Sequence, residues 1–184
     1  MVRTSITHPL QVFYVNPAPG FGRIGITFCP GKKDATSPGG AWDRDLHADL
    51  DVIQDLEASM LVTLIENFEF GLLKVEALGT EVVARNMKWI HIPIKDVSIP
   101  DRHFEVSWAT VGKQLRSQLR DGYDIVVHCR GGLGRAGIVA ARLLIELGAM
   151  NSKDAVKLVR AVRPGAIETS EQEEYVHRIK PVVE

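Results

Sequence analysis

The run Asp124-Ile125-Val126-Val127-His128-Cys129-Arg130-Gly131-Gly132-Leu133-Gly134-Arg135-Ala136-Gly137 sets the architecture expected of this chain. Its start follows the turn Asp121-Gly122 and is rich in β-branched residues, so residues 124–128 are expected to form a short buried strand. Residues 138–147 are apolar at most positions and stop at Gly148, which predicts a buried helix. Cys129 to Arg135 must therefore turn from strand into helix. Gly131, Gly132 and Gly134 permit the backbone angles and close approaches that such a turn needs. Its N–H groups can then face inward as an anion nest, with the positive end of the helix behind them.

A phosphate monoester offers three strong acceptor oxygens. Arg135 supplies a planar fork for two of them, and Arg130, Gly131, Gly132, Leu133 and Gly134 supply the loop that would surround the group. A positive field of this kind favours a thiolate at the strand end. The reading is a phosphate-binding loop with Cys129 as nucleophile, a phosphocysteine intermediate, and Arg135 opposing the charge that develops in transfer. A structural cysteine beside a glycine turn would explain neither the arginine nor the strand–loop–helix setting.

Working outward, the spacing predicts strands over residues 12–15, 24–28, 60–65 and 88–94. It predicts helices over residues 43–58, 69–78 and 106–119. Asn151 to Asp154 opens a further helix, and Ser170 with Glu173 is spaced as the capping box of the last one. Residues 30–42 are rich in Gly, Pro, Lys and Ser and are expected to be a surface loop. Strands alternating with helices predict an α/β fold: one domain over residues 1–184, with a central, mostly parallel sheet flanked by helices.

A phosphocysteine mechanism needs an acid for the leaving oxygen. If the 88–94 and 124–128 strands are parallel neighbours, their C-terminal ends share the edge at which open α/β sheets bind ligands. Asp96 lies just past one strand and Cys129 just past the other, so Asp96 is the first candidate. Asp101 is the second and His103 the third. Asp121 and Asp124 precede their strand and belong at the far edge. His128 either tunes Cys129 or is a core histidine with its hydrogen bonds met. Arg130 either adds charge at the rim or is solvated. Lys32 and Lys33 either meet an acidic substrate or solubilise a loop, the latter being the expectation here.

A net charge of −1 supplies no long-range attraction to nucleic acid or an anionic membrane. No apolar run is long enough to span a bilayer, and no apolar signal core follows the N-terminus. The two cysteines, Cys29 and Cys129, make no disulfide framework, and no Cys/His spacing fits a metal, so neither metal nor cofactor is expected. A reactive thiolate suits a reducing compartment, and a cytoplasmic protein is the expectation. Oxidation of Cys129 would join it to Cys29 only if the fold placed the two together, which nothing in the sequence does, so no bridge is expected.

His128-Cys129, Gly131-Gly132, Gly134-Arg135 and the Val139-Ala140-Ala141 behind them resemble the active-site loop of the cysteine-based protein tyrosine and dual-specificity phosphatases. Within these the chain is most similar to the cyclin-dependent kinase inhibitor 3, or kinase-associated phosphatase, group. Further resemblance lies in His91 to Asp96 with Pro100-Asp101, in Gly165 to Thr169 with Gln172 and Tyr175, and more weakly in Pro30 to Asp34. The resemblance implies a tyrosine phosphatase-like fold, Asp96 as the acid, and a phosphoprotein substrate, with dual specificity and a kinase as partner. It also suggests Gln172 as a residue that helps position water, against the plainer reading of a helix surface. One departure stands out: the family usually places Ser or Thr after the loop arginine, where this chain has Ala136. Losing that hydroxyl implies slow breakdown of the phosphoenzyme. The competing expectations are a phosphate-reading or kinase-binding module with little turnover, and thiol chemistry such as sulfur transfer or arsenate reduction.

Overall fold

The structure is a computed structural model describing residues 2–37 and 39–183. Pro38, inside the loop expected over residues 30–42, lies outside the described residues. The main sheet has five strands: β1 (Phe13–Val15), β2 (Ile24–Phe28), β5 (Met60–Thr63), β6 (Lys88–His91) and β7 (Ile125–Cys129). Their order is β1-β2-β7-β5-β6, with β1 antiparallel to β2 and the others parallel. This is the single-domain α/β arrangement with a mostly parallel sheet that the alternation predicted.

The central strands β5 and β7 are buried at every position, because helices cover both faces. On one face Met60, Val62, Ile125 and Val127 pack with α4 (Arg102–Arg120), α5 (Gly134–Glu146), α6 (Ser152–Val162) and α7 (Ser170–Arg178). On the other, Leu61 and Val126 pack with α1 (Leu46–Asp55), α2 (Asn67–Leu73) and α3 (Leu78–Ala84). The far end of α5 is fixed by Glu146, whose carboxylate receives Trp108 Nε1 at 2.9 Å, Arg142 Nε at 2.7 Å, and Arg116. A helix held this firmly gives Arg135, at its opposite end, a fixed origin.

Several boundaries differ from the sequence expectation. The 88–94 and 124–128 strands are parallel but not neighbours, since β5 lies between them. Every parallel strand still ends at the same edge, so the placement of Asp96 survives. The helix expected over residues 69–78 is two helices: Lys74 caps α2 in the left-handed conformation, φ 56°, and the chain restarts at Leu78. Gly79 lies inside α3, where a side chain would strike the Trp89 ring. The last capping box is Thr169 with Gln172, one residue earlier than Ser170 with Glu173, because Gln172 turns inward. In place of a plain loop over residues 30–42, β3 (Lys33–Asp34) pairs with β4 (Trp42–Asp43) as a short hairpin, and the helix expected from residue 43 starts at Leu46.

Candidate active site

Cys129 ends β7 and is almost fully buried, at the base of an open cavity of about 430 Å³. The loop above it is held by its carbonyls. Lys32 Nζ donates to Arg130 O at 3.1 Å. Arg163 donates through Nη2 to Gly131 O at 2.9 Å and through Nε to Gly132 O at 3.0 Å. In a trans peptide plane the C=O and the following N–H point opposite ways. Drawing these three carbonyls outward therefore turns the N–H groups of Gly131, Gly132 and Leu133 toward the inside of the loop. Gly132 has φ 65°, and a Cβ there would meet the Thr27 carbonyl at 2.5 Å, so only glycine closes this turn.

Arg135, in the first turn of α5, is also buried. Glu69 of α2 grips it with both oxygens, Oε2 to Nη1 at 2.6 Å and Oε1 to Nη2 at 3.0 Å. Nη1 also donates to Ile94 O at 3.2 Å, and Nη2 lies 2.9 Å from Asp96 Oδ1. Burial alone would weaken the guanidinium charge, but the Glu69 hydrogen bonds and the charges at Cys129, Glu69 and Asp96 outweigh it. Arg135 therefore stays charged at every working pH.

Asp96 sits in the loop after β6 with its side chain 47% exposed, open to the cavity and to solvent. Its N–H donates to Glu66 Oε2 at 3.2 Å, and its own Oδ1 accepts from Val97 N–H at 3.1 Å. Val97 has φ 54°, costly for a β-branched residue, so surrounding contacts hold this turn in place. Asp101 accepts from Phe104 N–H at 2.9 Å as the N-cap of α4, and His103 lies exposed in the next turn.

The other expected residues are placed with some corrections. His128 is fully buried, with Nε2 2.8 Å from Thr63 Oγ1 and Nδ1 3.3 Å from Cys129 O. Burial lowers its pKa to about 3, and Arg135 adds to the effect against the Cys129 carbonyl. A neutral ring with its proton on Nδ1 satisfies both contacts, and the ring does not charge near neutral pH. Arg130 lines the cavity with its side chain 31% exposed and is paired there: its Nε and Nη2 donate to Asp34 Oδ2 at 3.0 and 2.9 Å. Lys32 is not a solubilising loop residue but is buried against the Phe28 and Trp42 rings, and burial pushes its ammonium down to about 8. Lys33 remains at the surface, paired with Asp43.

Gln172 is not helix surface either, being fully buried. Its Oε1 accepts from Glu168 N–H at 2.8 Å and Thr169 N–H at 3.3 Å, and its Nε2 donates to Ser98 O at 3.2 Å. It thereby ties the start of α7 to the turn that carries Asp96. Cys29 packs in the α1–α3 core, whereas Cys129 belongs to the other core cluster, and both thiols are free. Ala136 is fully buried behind Arg135.

Sequence reasoning missed Glu69, Lys32 and Arg163 as supports, and Glu168 as a cavity residue. Glu168 Oε2 accepts from Gly134 N–H at 2.8 Å. Among the described residues, no group of three or more His, Cys, Asp or Glu gathers as a metal site, and no helix is long and apolar enough to cross a membrane.

A thiol, a ring of inward amides and a clamped arginine at the C-terminal edge of a parallel sheet define a cysteine-loop phosphatase domain. The family described as Swiss Army Knife protein, DSP-PTPase phosphatase domain (PTP-SAK) matches residues 43–176, and this chain belongs to it. Cyclin-dependent kinase inhibitor 3 of Rattus norvegicus is 36% identical over 92 residues, 49% of this chain and 42% of that protein. Protein tyrosine phosphatase type IVA 2 of Mus musculus is 35% identical over 97 residues, 50% of this chain and 55% of that protein. The match thus spans about half the length of these relatives. Among solved structures, kinase associated phosphatase with its catalytic-site cysteine replaced by serine superposes with a TM-score of 0.80 at 24% identity, covering 92% of this chain and 93% of that one, a likeness of fold. Tk-PTP in its active form gives 0.66 at 26% identity, covering 87% and 95%.

Proposed function

We propose that this chain hydrolyses phosphate monoesters of protein Tyr, Ser or Thr through a phosphocysteine on Cys129, with residues 1–184 acting as one domain. The observation that carries the proposal is the convergence at one cavity of Cys129, the loop residues Arg130, Gly131 and Leu133, and Asp96, whose Oδ1 lies 2.9 Å from the buried Arg135. The thiolate attacks phosphorus in line, and the P–S bond forms as the bond to the leaving oxygen breaks. Arg135 and the amides of residues 130–135 bind the phosphoryl oxygens, and Asp96 gives its proton to the leaving oxygen. A bound dianion takes Arg135 Nη2 from Asp96 and leaves that carboxyl free to face the leaving oxygen. Water then attacks the phosphocysteine, the P–S bond breaks, Asp96 takes the water's proton, and phosphate leaves. His128 and Gln172 support the site through the hydrogen bonds described.

No metal or cofactor enters this scheme. A phosphoprotein, with a kinase as one candidate, fits an open cavity better than nucleic acid or membrane fits a chain of net charge −1. Dependence on a thiol favours the cytoplasm. Ala136 favours a second reading, a phosphate-reading or kinase-binding module with little turnover.

Rapid quenching after mixing with ³²P-labelled phosphopeptide separates the two readings. The proposal expects label on Cys129 that survives an alkaline quench and is released by acid or iodine, as a thiol phosphate is, formed faster than steady-state turnover; turnover with no adduct on that residue rules it out. The acid role of Asp96 has its own test. Asp96→Ala is expected to lower kcat/KM by about 10²-fold or more on a phosphopeptide and far less on an activated aryl phosphate, whose leaving group needs no proton. Equal losses on both would remove Asp96 from that role.

A further inference from the structure

Of the three carboxylates that line the cavity, Asp96 has a task in the proposed chemistry, Asp34 pairs with Arg130, and Glu168 accepts from a backbone amide of the loop. Its Oε2 lies 2.8 Å from Gly134 N–H, in the same cavity as Cys129, Gly131 and Leu133. Gly134 is the first residue of α5, and the preceding Leu133 offers no side-chain cap, so this amide carries the positive end of the helix. A side chain at position 134 would collide with the Glu168 carboxylate and the Gln172 amide. The carboxylate is held there from its own backbone, since Gln172 Oε1 fixes Glu168 N–H while the acid group reaches across to α5. Arg135 shows the same pattern, with Asp96 on Nη2. Two protein carboxylates thus occupy donors suited to phosphoryl oxygens.

We infer that Glu168 is a tethered competitor for the phosphate site, an affinity-setting residue that an incoming dianion must displace from Gly134. The inference rests on the phosphate-binding reading of the loop. Asp96 has a reason to be near the dianion, since it delivers a proton. Glu168 has none in the proposed scheme, and its exposed position lets it swing into solvent. Its negative charge opposes a dianion by Coulomb repulsion as well as by occupying an amide. The consequence is selection by ligand charge: a full dianion with three oxygens can displace the carboxylate, and a monoanionic diester is poorly equipped to do so.

The test measures binding, not turnover. Inorganic phosphate is titrated calorimetrically into the native protein, Glu168→Gln and Glu168→Ala at fixed pH and ionic strength. Glu168→Gln keeps an oxygen that can accept from Gly134 N–H and loses only the charge. Phosphate is expected to bind about five- to ten-fold more tightly to both variants, the scale of removing one like charge from a partly desolvated anion site. A helix cap and nothing more would give unchanged phosphate affinity in Glu168→Gln and weaker affinity in Glu168→Ala; that pair of results overturns the inference and leaves the phosphatase reading intact. No phosphate binding by any of the three folded proteins overturns the reading of the loop and the inference with it.

Discussion

Cys129→Ser is expected to lower kcat on p-nitrophenyl phosphate by more than about 10³-fold, the scale on which removing the nucleophile disables a covalent mechanism. The serine hydroxyl is smaller than the thiol and holds its proton near neutral pH, so the loop's field cannot turn it into a comparable nucleophile. The fold should persist. Cys129 ends a strand whose backbone partners in β2 and β5 do not involve the sulfur, and the change adds no volume. Phosphate affinity should persist as well, because the loop amides and Arg135 are untouched. Activity assays with circular dichroism and phosphate titration on the same preparation check all three. Residual turnover above about a tenth of native would show that another group attacks phosphorus.

The sequence stated the fold class and the loop clearly because both are local. Ile125 to Val127 form one buried run, and the glycines with Arg135 leave few conformations open to the turn that follows. Asp96 was legible through topology: it follows a parallel strand, and parallel strands deliver their ends to one edge. The same argument, applied to the strand over residues 60–65, would have nominated Glu66 and Glu69 just beyond it. A buried arginine also needs a buried counter-charge. What hid Glu69 was the break in the helix at Lys74, which no proline or glycine announces; the sequence predicts a single helix over residues 69–78 with Glu69 at its start. Lys32 and Arg163 were not legible at all. They act on loop carbonyls from about 98 and 31 residues away in sequence, and a side-chain-to-carbonyl contact leaves no periodic trace. Gln172 was misjudged for a related reason, since its position in a first helical turn fits surface and burial equally until the Asp96 turn is seen packing against it.

Glu69→Ala should show how far catalysis depends on that unseen carboxylate. Both side chains of the Glu69–Arg135 pair are 2% exposed, and two hydrogen bonds of 2.6 and 3.0 Å join them. Removing one member of such a pair leaves a buried charge without its partner, which costs about 3–5 kcal/mol. Asp96 cannot take over, because it meets Arg135 through a single nitrogen and is half exposed. The guanidinium also loses the fork that sets its plane, so kcat should fall by about 10²-fold, the scale of misplacing one charge-stabilising group. Glu69→Gln, which keeps an acceptor toward Arg135 but drops the charge, should fall between native and Glu69→Ala in both stability and rate. The contrast that isolates the ion pair from simple loss of packing is phosphate. A bound dianion supplies the missing counter-charge, so saturating phosphate should raise the stability of Glu69→Ala in urea unfolding by more than it raises that of the native protein. Equal phosphate stabilisation of the two proteins, or a Glu69→Ala variant as stable and active as native, would show that Arg135 is oriented by the loop and α5 alone.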